Sequence, residues 1–80
     1  MEGPIAASFG ATLRRKREEV GISQEELANR AGLHRTYISM IERGVRTASI
    51  EVVRRVAQGL ETSMTDLVSE TEREHGKTTP

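Results

Sequence analysis

The chain contains no cysteine and no tryptophan, and only one phenylalanine, one tyrosine and two prolines in 80 residues. Without cysteine there is no disulfide framework and no thiolate metal site, which accords with a reducing cytoplasm. Few aromatics and no alternating β-branched run leave an aliphatic, helical core as the means of burying apolar surface. The longest apolar runs fall far short of a membrane span, and Met1–Gly10 lacks the charged-then-apolar form of a signal peptide. The expected location is therefore the cytoplasm, with no membrane association. There is no Gly-rich phosphate loop and no His–carboxylate–nucleophile set, and so short a chain has little room for a deep pocket. Catalysis is not expected. His34 and His75 have no companions at ligand spacing, so neither metal nor cofactor is expected. One small domain follows from the length, with a stability of a few kcal/mol, about the range for such cores, unless it oligomerises.

The formal net charge is zero, but its distribution is uneven. Between Arg30 and Arg46 there are four arginines against Glu42 alone; between Glu61 and Glu74 there are five carboxylates against Arg73 alone. A cationic face and an acidic rear would orient the molecule on a polyanion.

The most informative stretch is Ser23–Gly44, SQEELANRAGLHRTYISMIERG. Ser23 with Glu26 has the Ser-x-x-Glu spacing of a capping box at a helix start. Leu27, Ala28 and Ala31 recur at helical spacing, and Gly32 supplies the left-handed residue that ends the run. Leu33 leads into a second periodic run, with Ile38 and Ile41 on one face and Gly44 as the stop. Two short helices joined by a tight turn, with a small alanine where they cross, form a helix-turn-helix. The outward face would then be Arg35, Thr36, Tyr37, Ser39, Met40 and Arg43, free to enter a DNA major groove. Plainer alternatives remain for three of these residues: Arg35 as a solvated surface arginine, Tyr37 as packing and Met40 as filler.

The flanking segments give three more helices. Met1–Ala7 has no periodicity and is expected to be a flexible arm; without Arg or Lys it is poorly suited to a minor groove. Ser8 is expected to cap a helix reaching about Val20, with Phe9 and Leu13 inward, Ile22 just beyond, and Gly10 weakening its first turn. The run Arg14-Arg15-Lys16-Arg17 invites a nuclear-localisation or nucleic-acid label, but a solvated face balanced by Glu18 and Glu19 is the simpler reading. Arg17 stands apart. It lies four residues after Leu13 on the inward stripe, where an arginine needs a buried partner.

Beyond the connector Val45–Ala48, Ser49 caps a fourth helix with Glu51 in its first turn. Its apolar stripe is Ile50, Val53, Val56, Ala57 and Leu60, with Arg54 and Arg55 facing water and Gly59 near its end. Ser63 with Asp66 starts a fifth helix carrying Met64, Leu67 and Val68. The polar tail 71–80 is expected to fray. The expected fold is all-α, a compact five-helix domain over residues 8–70 with the helix-turn-helix as its second and third helices.

The order Gln24, Leu27, Ala28, Gly32, Leu33, Ile38, Ile41, Glu42, Gly44 resembles the phage repressor and Cro group, the XRE-like regulators. Arg35-Thr36-Tyr37-Ile38-Ser39 followed by Ile41-Glu42-Arg43-Gly44 and Arg46 is most similar to the controller proteins of restriction–modification systems. The resemblance implies a lambda-repressor-like fold and sequence-specific double-stranded DNA binding that regulates transcription. It implies that Gln24 holds a phosphate at a helix N-terminus and that Arg35 and Thr36 read bases, with Met40 offering apolar contact to a thymine methyl. His34, Tyr37, Ser39, Arg43 and Arg46 would grip the backbone, Arg46 alternatively entering a narrow minor groove. Arg17 and Glu42 would form the ion pair that ties the first helix to the recognition helix. His34 stands where the group places Ser, Thr or Asp as a cap; imidazole caps poorly, so that helix is expected to begin late or to use Thr36.

One recognition helix touches too few base pairs to find an operator among genomic competitors. A homodimer on a two-fold operator is therefore expected, with Val52, Met64, Leu67 and Val68 as its surface, and RNA polymerase as a further partner were the protein an activator. The rival reading is a protein-interaction module or antitoxin whose basic helical face binds a partner protein.

Overall fold

In a computed structural model that describes residues 4–78, the chain forms five helices: α1 (Pro4–Val20), α2 (Gln24–Ala31), α3 (Arg35–Glu42), α4 (Ile50–Gly59) and α5 (Met64–Thr78). α1 lies against α5 and α3, while α2 lies against α4 and α3. α3 is thus held by two helices. Leu13, Leu27, Ile38, Ile41, Val56 and Leu67 are fully buried where these elements meet. No helix among the described residues is long and apolar enough to cross a membrane.

Local signals set three of the helix starts. The Ser23 hydroxyl accepts the Glu26 N–H at 3.0 Å, Ser49 accepts from Val52 at 3.2 Å, and Ser63 accepts from Asp66 at 3.0 Å. Only half of the expected capping box forms, because the Glu26 carboxylate turns to Arg30 at 3.0 Å. Gly32 takes φ 69°, ψ 36° and ends α2. The Leu33 N–H then reaches back to the Ala28 carbonyl at 2.9 Å, which turns the chain into α3. α3 begins directly at Arg35 although His34 makes no side-chain capping bond. The expected late start, or a start capped by Thr36, does not occur.

The two ends of the chain correct the sequence reading. Helix starts at Pro4, so the expected arm is ordered helix from there onward; residues 1–3 lie outside the described part. Proline suits a first helical turn, where its missing N–H costs nothing. Ser8 is therefore no cap. It is a buried residue inside α1, its hydroxyl 3.3 Å from Nδ1 of His75. The tail expected to fray from residue 71 is helical to Thr78, with Thr71 buried against α1's side of the bundle. Each end orders the other, a non-local effect that local propensity does not report.

In α4 the expected stripe Val53, Val56, Ala57 and Leu60 is buried, with one exchange at the helix start. Val52 is 8% exposed and joins the core, whereas Ile50 is 72% exposed. At about 100° per residue, Val52 lies roughly 40° from the fully buried Val56 and Ile50 roughly 120° away. Arg54 and Arg55 both pair with Glu51 on the outer face, at 2.5 and 3.0 Å. Hydrogen bonds from Arg54, then from Arg55, hold the Glu51 carboxyl down at about 2.

Gly10 sits mid-helix because α1 passes very close to the end of α3. A Cβ there would strike the Ile41 carbonyl oxygen and lie 2.8 Å from that of Glu42. Its weakness as a helix former is the condition of this approach.

Gly10→Ala, which in an open helix gains up to about 1 kcal/mol, should instead destabilise by about 1–3 kcal/mol in urea unfolding, because backbone must move. Gly76→Ala, where nothing lies within 4 Å, should stabilise slightly. The Glu51 carboxyl, depressed in the folded state, contributes stability above its unfolded pKa that is lost as pH falls through about 2; an NMR titration of its side-chain carboxyl should show that midpoint, and one near 4 would refute the Arg54–Glu51–Arg55 cluster.

Candidate nucleic-acid interface

The first residue of α2, the first and last residues of α3, and one arginine of α1 meet in a single polar network. Arg17 donates to both Glu42 oxygens, from Nε at 2.6 Å and Nη2 at 3.1 Å, and from Nη1 to the Ile22 carbonyl at 2.9 Å. Arg17 and Glu42 side chains are only 11% and 3% exposed. Such a pair is stabilising only with good geometry and its remaining bonds filled, and here both conditions are met. Hydrogen bonding to Glu42 raises the Arg17 pKa against the opposing pull of burial. Glu42 Oε1 also accepts from Gln24 Nε2 at 2.9 Å, and Gln24 Oε1 accepts from Arg35 at 3.3 Å. The partner that the inward position of Arg17 demanded is Glu42.

Outside this network α3 presents its polar side to solvent. Arg35, Thr36 and Arg43 are exposed, and Ser39 and Met40 are half-buried between them. Thr36, Ser39, Met40 and Arg43 follow the three- and four-residue spacing of one helix face. Tyr37 departs from that face: half-buried, it packs against the core, with the Arg46 guanidinium 5.6 Å from its ring centroid. His34 is exposed beside Arg35.

The charge pattern becomes sharper in three dimensions. Arg35, Arg43 and Arg46 have no carboxylate partner among the described residues. Arginines of α1, α2 and α4 are paired: Arg14 with Glu18, Arg15 with Glu19 and Glu70, Arg30 with Glu26, and Arg54 and Arg55 with Glu51. The basic run of α1 is thus a balanced surface, with Glu70 of α5 adding a partner that sequence spacing could not show; Lys16 also reaches Glu70 at 3.2 Å. Arg30, counted with the cationic stretch, turns away from α3 to the Gly59 carbonyl at 3.1 Å.

The dimer surface expected from sequence needs correction. Leu67 is fully buried and Val52 nearly so, and Met64 packs on the same core. Val52 and Leu67 fill the protomer and are not free for a partner, whereas Met64 is half-buried. Val68 remains 42% exposed, and Ile5, Val20, Val45 and Ile50 are exposed as well. Ile5 and Val68 line a largely apolar groove of about 340 Å³ with Phe9, Ala48 and Val53.

A helix-turn-helix family model matches residues 13–67. The chain belongs to the XRE-type helix-turn-helix family. It is 39% identical over 69 residues to control protein C.BamHI of Bacillus amyloliquefaciens, covering 85% of each chain. Control protein C.MunI of a Mycoplasma species is 35% identical over 71 residues, covering 88% of this chain and 96% of that one. Among solved structures, a Tyr→Phe variant of the restriction-modification controller protein C.Esp1396I superimposes with a TM-score of 0.90 at 32% identity, covering 99% of this chain and 100% of that one. Another structure shows C.Esp1396I as a tetramer in complex with its natural 35 base-pair operator (TM-score 0.82, 32% identity, 89% and 93% covered). The resemblance carried by Gln24 through Gly44 therefore holds across nearly the whole helix-turn-helix domain.

Removing one partner of the buried pair should show its weight within this fold. Glu42→Ala leaves the Arg17 guanidinium uncompensated and should cost about 3 kcal/mol in denaturant unfolding. Glu51→Ala, at an exposed cluster, should cost far less. A wild-type melting temperature for Glu42→Ala would contradict this account.

Proposed function

We propose that this protein is a sequence-specific double-stranded DNA-binding regulator of transcription, acting in the cytoplasm as a homodimer on a two-fold operator and serving as a restriction–modification controller. The observation that carries the reading is the set of unpaired arginines on and just beyond α3, in a chain whose helical arginines elsewhere in α1, α2 and α4 are neutralised. The operator-bound controller protein of closely similar fold supports it.

In this reading α3 lies in the major groove. Arg35 offers its fork to O6 and N7 of a guanine, a contact worth about 1–3 kcal/mol of discrimination. Thr36 presents a hydroxyl and a methyl, and Met40 an apolar surface that suits a thymine methyl. Arg43, Ser39 and His34 face the flanking phosphates, Tyr37, packed beside the core, offers them only its hydroxyl, and Arg46, held over Tyr37 in the free protein, reaches the backbone or a narrow minor groove. Phosphate contacts supply salt-dependent affinity, and Arg35 and Thr36 supply selectivity.

The dimer is assigned to the exposed apolar side chains Ile5, Val45, Ile50 and Val68, replacing the buried Val52 and Leu67. The chain should sediment at twice 8.9 kDa at micromolar concentration without DNA, and Ile50→Asp should shift it toward monomer.

Selection of bound duplexes from a random library tests the function directly. The expected result is an enriched two-fold motif with half-sites about one helical turn apart, lost at one base pair in Arg35→Ala. A folded protein that enriches nothing at moderate salt overturns the proposal and leaves the protein-interaction reading.

A further inference from the structure

Met40 is an apolar side chain on the face of α3 that it shares with Thr36, Ser39 and Arg43. It is half-buried, yet it does not join Ile22, Leu33, Tyr37, Ala48 and Met64, the half-buried residues that pack against the core among those described. Core filling therefore does not account for it. Thr36 stands four residues earlier, exposed, with its γ-methyl on the neighbouring turn of the same face. Arg35, Ser39 and Arg43 flank this small apolar step with hydrogen-bonding groups. In a major groove the base edges offer such a step one apolar group, the C5 methyl of thymine.

Neither residue can tell which pyrimidine carries that methyl. Methionine has no donor and its thioether is a weak acceptor, so it does not separate the O4 acceptor of thymine from the N4 amino donor of cytosine. The Thr36 hydroxyl both donates and accepts, and so serves either group. Cytosine methylated at C5 presents the same methyl at the same place on the ring. We propose that Met40 and Thr36 read a C5-methyl group rather than a base, so that DNA methylated at C5 of cytosine is a ligand of this protein alongside thymine-containing sites. This inference rests on the reading of α3 as the helix that enters the major groove, and deepens it by naming a base modification to which binding responds. Methylation of a cytosine that faces Met40 raises affinity, whereas thymine at that place supplies the contact permanently.

The test uses the full chain and duplexes selected from a random library by the wild type and by Met40→Ala, which together locate the base pair whose preference Met40 governs. Affinity is then measured with thymine, uracil, cytosine and C5-methylated cytosine at the pyrimidine of that pair. Comparing thymine with uracil, and methylated with plain cytosine, adds the methyl while the partner purine stays fixed. Each comparison should favour the methylated base by about fourfold, the worth of one buried methyl. Met40→Leu, which keeps an apolar surface, should preserve both ratios, and Met40→Ala should bring both toward one, each with a folded thermal transition. A methyl preference for thymine over uracil with none for methylated over plain cytosine would show that the base is read, and would overturn the inference. Ratios untouched by Met40→Ala, or no base pair whose preference that variant changes, would overturn it as well. A wild type that enriches no sequence would overturn the underlying reading of α3 instead.

Discussion

The bidentate pair between Arg17 and Glu42 is the interaction on which the rest of this structure depends. It joins the last turn of α1 to the last residue of α3, with both side chains nearly withdrawn from water. Two charges so placed are costly unless each polar atom is matched. Arg17 fills its fork with Glu42 and the Ile22 carbonyl, and Glu42 adds the Gln24 amide. Once set, the pair fixes the end of α3 beside α1, where only a glycine at position 10 leaves room. Apolar burial of Leu13, Ile38 and Ile41 supplies most of the adhesion between these helices; the ion pair supplies direction and register.

That fixed end has a functional counterpart at the other end of α3. Glu42 and Arg35 bracket the helix, and Gln24 at the head of α2 connects them. The interior demand for a satisfied carboxylate thereby propagates to an exposed guanidinium. The remaining surface divides simply. Arginines on α1, α2 and α4 are held by neighbouring carboxylates, and Glu70, for which burial acts to raise the pKa, is nonetheless drawn below its usual range by Lys16 and Arg15. Arg35, Arg43 and Arg46 have no such partners. A molecule of zero net charge can therefore offer a cationic edge to a polyanion.

What the sequence disclosed, and what it did not, follows the range of the forces involved. Ser23, Ser49, Ser63 and Gly32 act within a few residues, so three helix starts and the central turn were legible. Inward placement of Arg17 was legible from its spacing with Leu13, although only the family resemblance supplied Glu42. The extents of α1 and α5 were not, because Ile5, Ala6 and Ser8 meet Thr71, Glu72 and His75 across the bundle. Ile50 and Val52 exchanged roles because a ten-residue helix with apolar residues on more than one side does not announce its phase. Gly10 read as a weak helix former where packing against α3 required it. Gln24's two hydrogen bonds join it to residues 11 and 18 positions away, which no local pattern encodes.

The central claim is that α3, braced by the Arg17–Glu42 pair and led by Arg35, is the surface that meets DNA. Backbone amide shifts followed by NMR as a library-selected duplex is titrated into the full chain test it most directly. The account predicts the largest changes at Gln24, from Arg35 to Arg43 and at Arg46, with Met64–Thr78 nearly unmoved except at a dimer contact. Changes concentrated on α5, with α3 silent, would contradict it.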